Sequence, residues 1–232
     1  MVTIGIQQPT YLPWLGYFEQ IARCDVFVFL DSVQFERHSW QNRNRLRTVA
    51  GEPFWLTVPV EHAPLHTSIK EMTVLRKSET WVRKHVNSLQ ASLGRAPHFK
   101  TFRHLVDRWI GHDVLMLADM NIALITDIAR VLGLNPTFVR ASDLPLTASK
   151  SQLVAQICQH LGGSHYYSAA GAQAYLAEDL FPGIGVTLEY QTWAHPVYQQ
   201  TGPGFVSHLS VMDALMNLGA SETRNLLLSE RQ

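Results

Sequence analysis

Several features that would declare a function at once are scarce or missing. Cysteine occurs only twice, at Cys24 and Cys158, in 232 residues. Both lie in apolar, helical-looking stretches, so they read as buried reduced thiols, and no disulfide framework is indicated. Neither makes a persuasive nucleophile. In Cys158-Gln159-His160 the histidine follows so closely that a helix turns it away from the thiol. Excess charge is absent, with Lys+Arg and Asp+Glu at 19 each, which argues against a protein whose main business is coating nucleic acid or anionic lipid. No apolar run approaches the ~20 residues of a membrane span. The start, Met1-Val2-Thr3-Ile4-Gly5-Ile6, has neither a basic n-region nor a long apolar h-region, so the expected compartment is the cytoplasm. No Walker A loop, G-x-G-x-x-G or H-E-x-x-H pattern occurs. His62 and His66 have metal-like spacing but flank a Pro-bearing loop, and no metal site is assigned. There is no low-complexity segment and no repeat of fixed period.

What is present is an ordinary apolar fraction of 46% and a chain long enough for a sizeable core, read here as one domain. The first sixty residues carry the strongest pattern. Residues 3–6 form a short buried strand, and a polar, Pro-punctuated loop of Gln7-Gln8-Pro9-Thr10-Tyr11-Leu12-Pro13-Trp14 follows. Apolar residues then recur at helical spacing to Cys24, and Val26-Phe27-Val28-Phe29-Leu30 reads as a strand buried on both faces. Residues 3–30 thus make a βαβ unit. An antiparallel hairpin is expected from 40–48 against 53–60, with Arg43, Arg45 and Arg47 on one face and Asn42 and Asn44 on the other.

Helices are expected over 79–93, 102–110 and 115–132, forming a helical insertion near 75–132. The βα rhythm then resumes with strands at 137–141, 165–167 and 186–190. Helices are expected at 150–161, 171–177 and 207–218, the last ended by Gly219. The fold class is α/β, an open Rossmann-like, mostly parallel sheet with flanking helices.

The strands end at Gln7-Gln8, Asp31, Ser142-Asp143 and Ser168. In a parallel sheet these ends share one edge, where open α/β folds bind ligands. Polar residues at strand ends also serve as caps and turns. Asp31 is the best single candidate for chemistry, as a base or as the group that orients an amine or sugar hydroxyl; its bland reading is a cap or an ion pair. The arginine row suits a phosphate or carboxylate, and three aligned cations favour an anionic partner over a bare solvated face. Tyr11, Trp14 and Trp40 could form an aromatic wall, although core packing explains each as well. Ser149-Lys150-Ser151 precedes a helix and could meet an anion or simply cap it.

At this point the residues carry a family. Gln8-Pro9-x-Tyr11-Leu12-Pro13-Trp14-x-Gly16-Tyr17-Phe18, Phe29-Leu30-Asp31-x-Val33-Gln34-Phe35, Trp40-x-Asn42-Arg43-Asn44-Arg45 and Trp55-Leu56-Thr57-Val58-Pro59-Val60 resemble the WbqC-like family. Ser168-x-x-Gly171-x-x-x-Tyr175-Leu176 and Leu209-Ser210-x-x-Asp213 are similar to its C-terminal half, more loosely. Relatives commonly place histidine where this chain has Gln7, an amide that cannot act as a base. The Ser-Gly usual before Gly171 is here Ser168-Ala169-Ala170.

The resemblance implies a transferase associated with bacterial surface-polysaccharide (O-antigen) biosynthesis, suggested to move a glycyl group onto a sugar. On that expectation Asp31 is catalytic. Arg43 and Arg45 hold a phosphate-bearing, sugar-linked small molecule. Gln7, Gln8, Gln34, Asn42, Asn44, Ser142 and Ser168 contribute hydrogen bonds, and Tyr11 and Trp14 stack. No cofactor is identified, nucleic acid is not expected, and a homo-oligomer is open. The alternatives are a nucleotidyltransferase of the HUP type and a non-catalytic module for a sugar-nucleotide or RNA.

Overall fold

The computed structural model describes residues 1–75, 80–110 and 115–229. It opens with strand β1 (Thr3–Gln7), helix α1 (Leu15–Ala22) and strand β2 (Val26–Phe29). Gly5 lets α1 lie tightly on β1, since a Cβ there would stand 2.4 Å from the Cys24 sulfur. A two-stranded antiparallel hairpin follows, β3 (Arg43–Arg47) with β4 (Pro53–Thr57), the first arm shorter at both ends and the second at its carboxyl end than the sequence suggests. Next come helices α2 (Thr80–Leu93), α3 (Phe99–Ile110) and α4 (Leu117–Val131). Residue 79, where the sequence starts the first of them, lies outside the described residues. The alternating part resumes with β5 (Thr137–Arg140), α5 (Lys150–His160), β6 (His165–Ser168) and β7 (Thr187–Tyr190), and the chain finishes with α6 (Val211–Leu218) and α7 (Ala220–Leu228).

Five strands form one sheet in the order β5-β2-β1-β6-β7, every pairing parallel. Counting only these strands, the order is that of a doubly wound nucleotide-binding sheet. The chain leaves β1 toward β2 but leaves β6 toward β7. The carboxyl ends of these two neighbours therefore flank a topological switch point, the crevice where such sheets take ligands. One face buries Phe27 and Phe29 under α1, α4, α6 and α7, and the other buries Ile4, Ile6, Val28 and Tyr166 under α5.

Three local expectations are corrected. The stretch expected as a helix over 171–177 is a 3-10 turn at Ala170–Ala174. The last expected helix begins at Val211 rather than near 207, because the Ser210 side chain accepts a hydrogen bond from Met212 N and residue 210 is bridged to Trp14 as extended chain. Gly219, with φ of 84°, does stop α6, but the chain turns there and continues as α7. The polar run Ser221-Glu222-Thr223-Arg224-Asn225 hid this helix from a periodicity reading.

Candidate functional site

The loop after β1 is gripped from below by side chains. Asn44 Nδ2 donates to the carbonyls of Tyr11 (3.1 Å) and Leu12 (2.8 Å), and Asn121 Nδ2 donates to those of Pro9 (2.9 Å) and Gln41 (2.7 Å). The Tyr17 hydroxyl donates to Gln8 O at 3.0 Å. These bonds satisfy carbonyls that no sheet or helix serves, and they hold Leu12 at a left-handed φ of 42°. Asn44 and Tyr11 are therefore buried inside the scaffold, and Asn42 with them, its Nδ2 donating to Val58 O at 2.9 Å. None of the three has a side chain exposed for the binding role the sequence suggests.

Gln7 and Gln8 do reach the carboxyl edge of β1, both half-buried. Gln8 Oε1 accepts from Gln41 Nε2 at 2.8 Å, and Gln41 Oε1 accepts from Glu36 N at 2.9 Å, which ties the loop after β1 to the one after β2. Gln34 is exposed and its Oε1 lies 3.0 Å from His66 Nδ1, beside a cavity of about 510 Å³ that Arg37 and His62 also line. Among the described residues no three His, Cys, Asp or Glu side chains gather as a metal ligand set.

Asp31 sits at the expected edge, but fully buried. Its Oδ2 accepts from Arg140 Nε (2.8 Å) and from the Ser142 hydroxyl (2.9 Å), and its Oδ1 accepts from Ser142 N (3.0 Å). Arg140 reaches onward to Asp119 at 2.6 Å. The strand ends of β2 and β5 do converge as the sequence implies, yet Asp31 and Ser142 satisfy one another instead of facing a ligand. Ser168 is likewise fully buried and donates to the Tyr166 hydroxyl at 3.1 Å, on the α5 side of the sheet. The run Ser149-Lys150-Ser151 starts α5, and the Ser151 hydroxyl accepts from Ala177 N at 3.0 Å.

The arginine row splits. Arg47 is buried and donates to Gln200 Oε1 at 2.5 Å and to Gly204 O at 3.1 Å, with Pro203 O as a further acceptor. Gln200 in turn donates to Asp213 Oδ1, as does the Tyr198 hydroxyl, both at 2.9 Å. This network fastens the irregular segment 191–210 to the hairpin and to α6. Arg43 and Arg45 are half-buried, each with a buried Nε that has no hydrogen-bond partner. The Arg43 guanidinium lies 4.1 Å from the Trp55 ring centroid, and that of Arg45 lies 5.7 Å from Trp40 and 6.0 Å from Trp55. Both tryptophans are 44% exposed, and their rings stand 5.1 Å apart. Among the described residues neither arginine has a carboxylate partner. The single side-chain hydrogen bond between them runs from Arg45 Nη2 to His208 O at 3.3 Å.

The sequence reading missed what adjoins this face. The His208 ring lies 4.8 Å from Trp14 and 4.7 Å from His195, and Trp193 lies 6.0 Å from Trp14. Gly16 makes room for this cluster, since a Cβ there would sit 2.2 Å from the Trp14 ring. His208 has a left-handed φ of 57°, a conformation uncommon outside glycine. Burial lowers its pKa below the usual imidazole value, and the Arg45 charge lowers it further, so the ring is neutral at pH 7. His195 is lowered by burial too, and its buried Nε2 has no hydrogen-bond partner. The only signal in the sequence was the density of aromatic and histidine residues in a stretch with no period. The arrangement offers two preorganised guanidinium groups on a tryptophan floor, with a neutral imidazole at the rim.

Comparison with other proteins gives one relative without an assigned role. The chain is 29% identical over 223 residues to the uncharacterized protein Rv1507c of Mycobacterium tuberculosis (strain ATCC 25618 / H37Rv), covering 95% of each chain. No solved structure matches. The sequence model of the WbqC-like protein family matches residues 8–225, so nearly the whole chain is accounted for and the protein belongs to that family.

Proposed function

We propose that the protein is a cytoplasmic transferase of bacterial surface-polysaccharide (O-antigen) biosynthesis, acting on a phosphate-linked sugar held on the outer face of the hairpin. The observation that carries the reading is the pair Arg43 and Arg45, laid over Trp55 and Trp40 with no carboxylate partner among the described residues. Guanidinium groups packed over aromatic rings keep their terminal donors for a fork geometry that matches phosphate oxygens. The tryptophan faces suit a nucleobase or a sugar ring beside that phosphate.

The chemistry falls to His208 rather than to Asp31. Asp31 is buried and hydrogen-bonded at both oxygens, so its part is to lock the β2 and β5 ends together. His208 is exposed, neutral and hydrogen-bonded through its carbonyl to Arg45. In the proposed step the acceptor's amine or hydroxyl attacks the acyl carbon of an activated donor. A C–N or C–O bond forms, the bond from that carbon to the donor's leaving group breaks, and the acceptor proton passes to the imidazole and then to the leaving group. The transferred group is taken as aminoacyl, glycyl being the smallest.

Calorimetric titration with UDP-N-acetylglucosamine tests the binding half. The Arg43→Ala, Arg45→Ala double variant is expected to lose affinity about ten- to a hundredfold, the cost of removing charge-assisted hydrogen bonds. Unchanged affinity refutes the reading. A second reading, a binding module without turnover, is favoured by one observation: neither Gln7 nor the saturated Asp31 supplies a base at the strand edge. If His208→Gln leaves both affinity and product formation intact, the imidazole has no catalytic part.

A further inference from the structure

The α1 face of the sheet carries a second recess, away from the carboxyl edge. Thr3, His165, Tyr167 and Glu189 project there from β1, β6 and β7, in register across the strands. α1 bounds it on one side with Glu19 and Arg23, and the extended segment after β7 bounds it on the other with Trp193. The cavity holds about 460 Å³, inside the range of about 300–1,000 Å³ usual for small-molecule pockets.

The floor is built of polar groups fixed in place. Glu19 is 1% exposed and, with its buried neighbour Gln20, is a polar residue on a largely apolar helix. Its carboxylate accepts from the Tyr167 hydroxyl (3.1 Å to each oxygen), from Gln191 Nε2 (2.6 Å) and from Arg23 Nε (3.0 Å). A plain structural role accounts for that clamp, which joins α1, β6 and the segment after β7. It does not account for the rim. There Glu189 Oε2 pairs with His165 Nε2 at 3.1 Å, the Arg23 side chain is 43% exposed, and the half-buried Trp193 ring forms a wall.

We infer that this recess is a binding site for the pyranose ring of a neutral or amino sugar. Trp193 offers an aromatic face for the apolar C–H side of the ring. Glu189 can accept from hydroxyls or an ammonium, while Arg23 and His165 can donate to ring and hydroxyl oxygens. The charges select against phosphate, since Glu19 and Glu189 oppose Arg23 across the recess. This is the reverse of the hairpin face, where two arginines stand without a carboxylate among the described residues. The inference goes beyond the function proposed above and rests on different residues, although Trp193, at 6.0 Å from Trp14, leads toward that face.

The test is saturation-transfer NMR of the full chain with a panel of free glucose, galactose, mannose, glucosamine, galactosamine and N-acetylglucosamine. At least one sugar is expected to bind. Its affinity should fall about tenfold or more in Trp193→Ala, and measurably in Glu189→Gln, which neutralises one exposed carboxylate. The Arg43→Ala, Arg45→Ala double variant should bind it as the wild type does. Binding by no member of the panel overturns the inference, as does binding that survives both recess substitutions. A sugar lost only in the arginine double variant also overturns it, and assigns that sugar to the hairpin face. Loss of UDP-N-acetylglucosamine binding without loss of the free sugar leaves the recess standing and bears on the hairpin face alone.

Discussion

At the scale of single residues, Asp31 is held by partners that its sequence context does not reveal. Asp31 follows an apolar strand and stands where chemistry often sits, but the partner that claims it, Arg140, lies 109 positions away and leaves no local trace. Removing one member of a buried ion pair strands the other. Asp31→Asn is therefore expected to cost about 3 kcal/mol in urea unfolding and to leave UDP-N-acetylglucosamine affinity near wild type. Normal stability with lost binding would return the residue to the site.

Two other buried groups set opposing responses to acid. Burial drives the His85 pKa from 6.5 to about 4, so between those values the unfolded chain binds more protons and stability falls as pH falls. Burial raises Asp213 from 3.8 to about 6, so in that window the folded chain binds more protons and stability rises as pH falls. The slopes largely cancel in the wild type. Asp213→Asn should expose the His85 slope and lose stability between pH 6 and 4, by on the order of 2–3 kcal/mol relative to wild type, whereas His85→Gln should gain over the same range. Parallel urea midpoints for the three proteins across this range would contradict both assignments.

At the scale of elements, period and punctuation carry far. The βαβ opening, the hairpin and every strand of the large sheet are legible, because apolar runs and turn residues bracket them. The alternation along residues 42–47 correctly separates arginines from asparagines. What alternation cannot say is which face meets protein. Asn42 and Asn44 turn inward to hold backbone, and Arg47 is overlaid by residues 200–204 that follow it by about 150 positions. Residues 191–206 have no period and so gave no structure in advance, yet the segment 191–210 brings Trp193, His195 and His208 against Trp14. Glu19-Gln20 did leave a signal, as adjacent polar residues within a helix that is buried nearly all round. The Gly16 requirement is testable directly. Gly16→Ala should displace the Trp14 ring and cost about 1–3 kcal/mol as overpacking, read as a lower melting temperature and altered near-ultraviolet dichroism. A variant with wild-type melting and dichroism would show that the Trp14 ring does not need the space.

At the scale of the whole molecule, the β5-β2-β1-β6-β7 order is the feature from which the rest follows. It creates a switch point between β1 and β6. It sends the loop after β1 and the hairpin after β2 to the same edge, and it leaves the far side of that face to the extended segment after β7. Net charge of zero means no long-range field gathers an anionic ligand. On the proposed function recognition comes from local groups, and Arg43 and Arg45, packed over tryptophan, have no carboxylate partner among the described residues.

The most direct measurement is a crystal structure of the chain soaked with UDP-N-acetylglucosamine. The diphosphate is expected within hydrogen-bond reach of Arg43 and Arg45, an aromatic or sugar ring against Trp40 or Trp55, and His208 at the rim with Asp31 still closed by Arg140 and Ser142. Diphosphate bound elsewhere, or at Asp31 with the Arg140 pair opened, would contradict the proposal.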